Sequence, residues 1–91
     1  MEKGMHIVVR GLVQGVGYRW FAAQRGEALG LRGSASNQPD GSVDIVAAGA
    51  EEALGSFVRL LRAGPRAAHV TGLSVEEIPP GRVPPGPFTF R

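Results

Sequence analysis

The sequence contains no cysteine, which excludes several kinds of structure and chemistry at once. Without thiols the chain can form neither a disulfide framework nor a thiolate metal site, and it has no cysteine nucleophile. It also lacks a long hydrophobic run, because the apolar stretch at residues 7–9 ends at Arg10 and a membrane span needs about 20 apolar residues. Nothing near the start resembles a signal peptide. We therefore expect a cytoplasmic protein that has no membrane partner.

A strong charge of one sign is also missing. Ten basic residues face eight acidic ones, so the net charge is only +2, whereas nucleic-acid-binding domains are usually more basic. Most of the few aromatic residues gather at residues 18–21 and near residue 90. A sheet that binds nucleic acid would instead interleave aromatic residues with arginines on an exposed face. Charge and aromatic content therefore argue against a nucleic-acid partner.

The chain has 91 residues, a length that suits one domain with one modest core, and we place this domain at residues 1–91. Apolar residues predict strands at residues 5–13, 43–47 and 70–78. The short polar segment at residues 33–37 is predicted to be a strand because the strand at 43–47 can pair back with it. Residues 88–90 are candidates for a short closing strand. A Pro-Asp-Gly turn at residues 39–41 makes the second and third strands a hairpin, and the Pro/Gly-rich residues 79–87 indicate a loop.

Two helices follow from apolar residues at helical spacing. The first is predicted at residues 20–29, with Gly30 ending it in the left-handed conformation, partial burial of Trp20, and a buried face formed by Phe21, Ala22, Ala28 and Leu29. The second begins with Glu51 and Glu52, whose charges suit a helix start, and its buried face is formed by Leu54, Phe57, Val58 and Leu61.

The order strand, helix, strand, strand, helix, strand predicts an α+β fold, the ferredoxin-like α/β sandwich (βαββαβ). We expect a mostly antiparallel sheet with two helices on one face and a short extra C-terminal strand. This fold supports many unrelated functions, so the function has to be sought in a site.

The clearest functional signal is the loop at residues 11–19, GLVQGVGYR, which joins the first strand to the first helix. Its glycines let successive N–H groups point into one concavity, and the helix that follows adds the positive end of its dipole. Arg19 supplies a planar charged fork for phosphate oxygens. The loop lacks the Lys-Ser/Thr pair of a Walker A motif. It is sized for a single phosphoryl or carboxylate group, although an ordinary tight turn with a solvated arginine explains the same pattern.

Residues 9–19, VRGLVQGVGYR, closely resemble the signature loop of the acylphosphatases. Residues 33–43, GSASNQPDGSV, followed by Gly49, resemble the second signature of that family. The resemblance implies hydrolysis of a small-molecule acyl phosphate to a carboxylate and inorganic phosphate. It also implies that no metal or other cofactor and no phosphoenzyme take part, and it fits a monomer.

The resemblance further assigns roles to individual residues. Arg19 would bind the phosphoryl group, Asn37 would hold the attacking water, and the N–H groups of the loop would bind the phosphoryl oxygens; these loop residues are Gly15, Val16, Gly17, Tyr18 and Arg19. Asparagine is a poor base, so the proton would pass to the substrate phosphate or to solvent. The chain departs from the usual family pattern at Tyr18, in place of phenylalanine, at Ser34, in place of an aromatic residue, and at Ser36, in place of a longer or basic side chain.

A domain that binds phosphate without catalysing any reaction is the alternative interpretation, because the same loop could hold an anion without chemistry. The two histidines, His6 and His69, lie outside both motifs. We interpret them as surface or sheet-face residues rather than catalytic bases.

Overall fold

In the computed structural model, which describes residues 1–91, the alternating apolar segments form strands of a single sheet. The elements are β1 (Glu2–Leu12), α1 (Tyr18–Ala28), β2 (Arg32–Asn37), β3 (Val43–Ala50), α2 (Glu51–Ala63), β4 (His69–Ile78) and β5 (Thr89–Phe90). The predicted elements and their order are confirmed, and the fold is the ferredoxin-like α+β sandwich with a short extra strand at its C-terminal end. Neither helix is long and apolar enough to cross a membrane.

The sheet has the strand order β4-β1-β3-β2-β5. All neighbours pair antiparallel except β2 and β5, which are parallel. β1 is hydrogen-bonded on both sides, as its two apolar faces predict. Ile7 lies opposite Ile45 of β3, and because side chains alternate across a strand, both point toward the helices.

The core fills the space between one face of the sheet and the two helices. From the sheet it takes Ile7, Val9, Ala35, Val43, Ile45 and Ala47, and from the helices Tyr18, Ala22, Ala23, Leu54, Phe57 and Leu61. The predicted buried face of α2 is confirmed for Leu54, Phe57 and Leu61, while Val58 is half-buried.

Two predictions for α1 were wrong. Ala28 is exposed, and Trp20 is 56% exposed rather than partly buried in the core. The helix begins at Tyr18, two residues earlier than predicted, and its buried stripe runs through Tyr18, Phe21, Ala22, Ala23 and Gly26. At 100° per residue, Trp20 lies on the side of α1 away from Tyr18 and therefore points into solvent.

The segment from residue 79 to residue 87 connects β4, at one edge of the sheet, with β5 at the other. It is more ordered than the predicted loop, since Pro80–Arg82 form a 3-10 turn and Val83 is only 2% exposed. Arg32 donates hydrogen bonds to the carbonyl oxygens of Val83 (3.1 Å) and Pro80 (2.9 Å). These two contacts hold the crossing segment against β2.

Phe88 enters the core at the end of this segment. Its ring meets the ring of Phe57 edge-on, with 5.7 Å between the centroids. A side chain at Gly26 could not fit, because a Cβ there would lie 2.5 Å from Cδ2 of Phe88. The glycine in the middle of α1 is therefore explained by close packing against Phe88, whose ring substitutes for the missing side chain.

Candidate active site

The loop between β1 and α1 has the backbone conformation that its glycines predict. Gly15 and Gly17 have φ angles of 74° and 77°, in the left-handed region that other residues rarely adopt. Nothing lies within 4 Å of the position of a Cβ at either glycine, so glycine is required there by the backbone angle and not by lack of space.

The N–H groups of this loop have no acceptors within the protein. Residues 15–17 donate no hydrogen bond. Tyr18 and Arg19 form the start of α1, and the first N–H groups of a helix have no intrahelical acceptor. The loop therefore presents a run of hydrogen-bond donors at the positive end of a helix dipole, an arrangement that suits an anion.

Arg19 lies in the first turn of α1 and is half-buried. It forms no ion pair, and the first turn of α1 contains no acidic residue. Its Cζ lies 6.0 Å from the centroid of the Phe90 ring, within the range of a cation–π contact. The charge of Arg19 is thus not neutralised by any carboxylate of the protein.

Tyr18 contributes to the loop through its backbone and not through its ring. The side chain is 1% exposed, and its hydroxyl donates a 2.7 Å hydrogen bond to the carbonyl oxygen of Leu61 in α2. Burial raises the pKa of Tyr18 well above its usual value. The phenol therefore stays protonated and anchors the start of α1 to the end of α2.

Asn37 is the last residue of β2 and is exposed, and its side chain forms no hydrogen bond within the protein. β2 pairs with β3 along its whole length despite Ser34 and Ser36. The side-chain amide of Gln38 donates a 3.2 Å hydrogen bond to the Ser36 hydroxyl. The strand therefore forms, and it ends at Asn37, whose side-chain amide has no hydrogen-bond partner in the protein.

A tight turn follows Asn37. The carboxylate of Asp40 accepts hydrogen bonds from the hydroxyl (2.6 Å) and the N–H (3.0 Å) of Ser42. These bonds, the hydroxyl's above all, together with Arg10 at 3.1 Å, lower the pKa of Asp40 to about 2. The carboxylate is therefore ionised at any physiological pH, and its charge is paired inside the turn.

Two contacts bring the residues predicted from the sequence to one end of β2. The side chain of Gln14, in the loop, donates hydrogen bonds to the backbone of the turn that follows Asn37. Phe90, which lies near the guanidinium of Arg19, pairs with Ala35, two residues before Asn37. The loop, Arg19 and Asn37 therefore surround the same corner of the fold.

His6 is not part of this corner. It lies opposite Val46 in the register of β1 and β3, so its side chain is on the sheet face away from the helices. Its Nε2 lies 2.7 Å from an oxygen of Asp44, and its Nδ1 lies 3.6 Å from an oxygen of Glu76. The hydrogen bond with Asp44 is the main reason that the pKa of His6 is raised. His69 is exposed at the start of β4.

The concavities of the surface lie away from this corner. The largest concavity, about 400 Å³, lies beside the C-terminal end of α1 and is lined by residues such as Glu27, Gly30 and Arg32. It contains neither Arg19 nor Asn37. No three His, Asp or Glu side chains are grouped closely enough to hold a metal ion. A single phosphoryl group that binds to backbone N–H groups does not need a deep cavity.

Comparisons with known proteins give one consistent result. The family model described as Acylphosphatase matches residues 5–83. A curated acylphosphatase of Aeromonas hydrophila is 46% identical over 79 residues, which cover 87% of this chain and 88% of the relative. One of Thermus thermophilus is 51% identical over 69 residues, which cover 76% and 78%. The crystal structure of acylphosphatase from Bacillus subtilis superimposes with a TM-score of 0.88 at 38% identity, covering 100% of this chain and 99% of that one.

Proposed function

The chain belongs to the acylphosphatase family and hydrolyses the carboxyl-phosphate bond of small-molecule acyl phosphates, and we propose that the loop, Arg19 and Asn37 are its active site. In this mechanism the N–H groups of residues 15–19 and the guanidinium of Arg19 bind the phosphoryl oxygens. Asn37 positions the water that attacks phosphorus.

One observation supports this assignment more than any other. A run of N–H groups without acceptors lies next to an arginine that has no carboxylate partner, at the start of a helix without an acid in its first turn. An acyl phosphate has a good leaving group, so hydrolysis depends mainly on binding the phosphoryl group and stabilising its charge. The planar fork of an arginine can bind two phosphoryl oxygens at once.

Asn37 suits a positioning role better than a basic one. Its amide can both accept and donate hydrogen bonds, so it can orient a water molecule, but it cannot take up a proton near neutral pH. The water oxygen bonds to phosphorus while the bond from phosphorus to the acyl oxygen breaks and the carboxylate leaves. The water's proton passes to a phosphoryl oxygen or to solvent. The step needs neither a metal ion nor a phosphoenzyme.

The names of the relatives do not favour the alternative of a domain that binds phosphate without catalysis. We also propose that residues 1–91 act as a single-domain monomer in the cytoplasm. Support for one domain comes from the single core between the sheet and both helices. Light scattering behind size exclusion tests the monomer, and a dimer mass at assay concentrations would contradict it. Cell fractionation tests the location.

The test is hydrolysis of benzoyl phosphate in the presence of EDTA, with inorganic phosphate as a competitive inhibitor. We expect the wild type to be active under these conditions and Asn37→Ala to lose turnover by roughly 10²-fold, while the inhibition constant of phosphate changes less than about threefold. Gln24→Ala, which removes an exposed amide from α1, is the control. If phosphate affinity collapsed in Asn37→Ala while turnover at saturation held, the water-positioning role would be wrong.

A further inference from the structure

Gln14 directly precedes the donor loop, which is the run of unbonded N–H groups at residues 15–19. Its side chain joins this loop to the turn after Asn37. Its Nε2 donates one hydrogen bond to the carbonyl oxygen of Gln38 (2.8 Å) and another to that of Ser42 (2.9 Å). These two carbonyls lie at the two ends of the turn of residues 38–42, which the N–H of Gln38 closes with a 2.9 Å hydrogen bond to the Ser42 oxygen. The amide of Gln14 therefore contacts both ends of the turn from the side of the loop.

The chemistry of this bridge is specific for glutamine. Both partners are carbonyl oxygens, which only accept, so both hydrogens of the Gln14 amide nitrogen are used. A glutamate of the same length would bring a carboxylate, an acceptor only, against two further acceptors. Loss of the bridge leaves neither carbonyl without a donor, because the N–H of Gly41 still bonds the oxygen of Gln38 and the N–H of Gln38 still bonds the oxygen of Ser42. We therefore expect variants at Gln14 to fold.

Few other contacts fix the position of the turn relative to the loop. The ion pair between Arg10 and Asp40 spans the same gap at 3.1 Å, but its two side chains are 60% and 56% exposed, and exposed ion pairs contribute little. β2 itself is poor in strand-forming residues, since its sequence is RGSASN. Val43 of β3 pairs with both Asn37 and Val9, so the sheet holds the backbone at Asn37. Gln14 is the side chain whose hydrogen bonds tie the turn that begins next to Asn37 to the loop itself.

We propose that Gln14 is a positioning residue that holds Asn37 in place relative to the phosphate-binding loop. The inference rests on the proposed role of Asn37. Gln14 acts through the backbone of the turn and does not touch the substrate. Its loss should therefore misplace the attacking water and leave the phosphoryl group bound.

The single variants separate turnover from binding. We expect Gln14→Ala to lower kcat for benzoyl phosphate by roughly tenfold or more, because small misplacements of reacting groups are costly, and to change the inhibition constant of phosphate less than about threefold. Gln14→Glu should be no better than Gln14→Ala although it keeps the length of the side chain. Gln24→Ala is the matched control and should equal the wild type.

A double-mutant cycle tests whether the two residues act as a unit. If Gln14 acts through Asn37, then Gln14→Ala combined with Asn37→Ala should lower kcat no further than Asn37→Ala alone. Independent, multiplicative losses would overturn the proposal and make Gln14 a residue of the loop only. If Gln14→Ala fails to fold, Gln14→Met keeps the side-chain volume without the donors, and wild-type kcat in Gln14→Met would overturn the proposal equally.

The same variants distinguish this inference from the proposed function. A low kcat in Asn37→Ala with wild-type kcat in Gln14→Ala overturns the role of Gln14 and leaves the active site as proposed. Wild-type kcat in Asn37→Ala overturns the role of Asn37, and the role of Gln14 falls with it.

Discussion

The two helices of this protein begin in opposite ways. α2 follows β3 without a loop, its N-cap Ala50 is extended (φ −62°, ψ 140°), and its first turn contains Glu51 and Glu52. α1 follows a glycine loop, its N-cap Gly17 is left-handed (φ 77°, ψ 18°), and its first turn contains no acid. Both helices have a dipole whose positive end attracts anions, but α2 supplies the negative charge from its own sequence and α1 does not.

This difference supports the proposed location of the active site at the start of α1, in a fold built from two strand–helix–strand units. The helix dipole is common to both units, so it cannot by itself make a phosphate site. What distinguishes α1 is the loop of unbonded N–H groups and the unpaired Arg19. Substitutions can therefore remove a feature of α1, give α1 the acid that α2 has, or alter the corresponding feature of α2.

Removing the arginine should have the largest effect. Arg19→Ala loses both the binding of the phosphoryl group and the stabilisation of charge in the transition state, so we expect kcat/KM for benzoyl phosphate to fall by about 10²–10³-fold or more. Arg19→Lys should rescue little, because a point charge does not reproduce the planar fork. Arg25→Ala, in the last turn of the same helix, is the control. A loss of the same size in Arg25→Ala would mean that net charge matters and not the position of Arg19.

Alanine substitutions at Gly17 of the loop and at Gly55 of α2 should have opposite effects. Gly17→Ala forces a left-handed conformation on alanine, at a cost of about 1–2 kcal/mol, and should raise the inhibition constant of phosphate by about tenfold. Gly55→Ala lies inside α2, where the nearest atom to a Cβ is 3.9 Å away, and should stabilise the protein by about 0.5–1 kcal/mol with unchanged kinetics. Inhibition assays and urea unfolding measure both. Unchanged phosphate inhibition in Gly17→Ala would show that the loop conformation is not needed.

Giving α1 the acid that α2 already has should weaken phosphate binding. Trp20 is exposed in the first turns of α1, so Trp20→Glu places a carboxylate near the donor loop without disturbing the core. We expect the inhibition constant of phosphate to rise by about two- to fivefold, and the rise to shrink at high salt. Trp20→Gln controls for loss of the ring. Equal inhibition constants in the two variants would contradict an electrostatic role for the start of α1.

Removing the acids of α2 should change only the free energy of unfolding, and this is the smallest effect that we expect. Glu51→Gln and Glu52→Gln each take a favourable charge from the helix start, so we expect each to lower the free energy of unfolding by about 0.3–1 kcal/mol. Benzoyl phosphate hydrolysis should keep its wild-type kcat and KM. Altered kinetics in either variant would indicate that the two helix starts are not separate in function.

The sequence predicts those parts of the molecule in which periodicity decides the structure. The strands, the buried face of α2 and the left-handed Gly30 (φ 74°) all follow from local patterns. α1 was harder, because its residues YRWFAAQRGEA have no clear apolar stripe. Its orientation is set from far along the chain, by the hydroxyl of Tyr18 on Leu61 and by the ring of Phe88 against Gly26.

The candidate site also has a part that the sequence predicts and a part that it does not. The resemblance of two sequence motifs singles out Arg19, Asn37 and the donor loop. The link between them cannot be predicted from residue spacing, because Gln14 binds backbone carbonyls 24 and 28 residues away. The only sequence signal for Gln14 is its position inside the first motif. The burial of Val83 is likewise a tertiary contact within a segment whose composition indicates a loop.

The most direct test of the central claim is a titration of the ¹⁵N-labelled protein with inorganic phosphate, followed by amide NMR. We expect saturable shifts concentrated at the backbone N–H groups of residues 15–19 and at the side chain of Arg19, with none at the start of α2 around residues 51–54. Shifts of equal size at both helix starts, or shifts centred away from the loop, would contradict it.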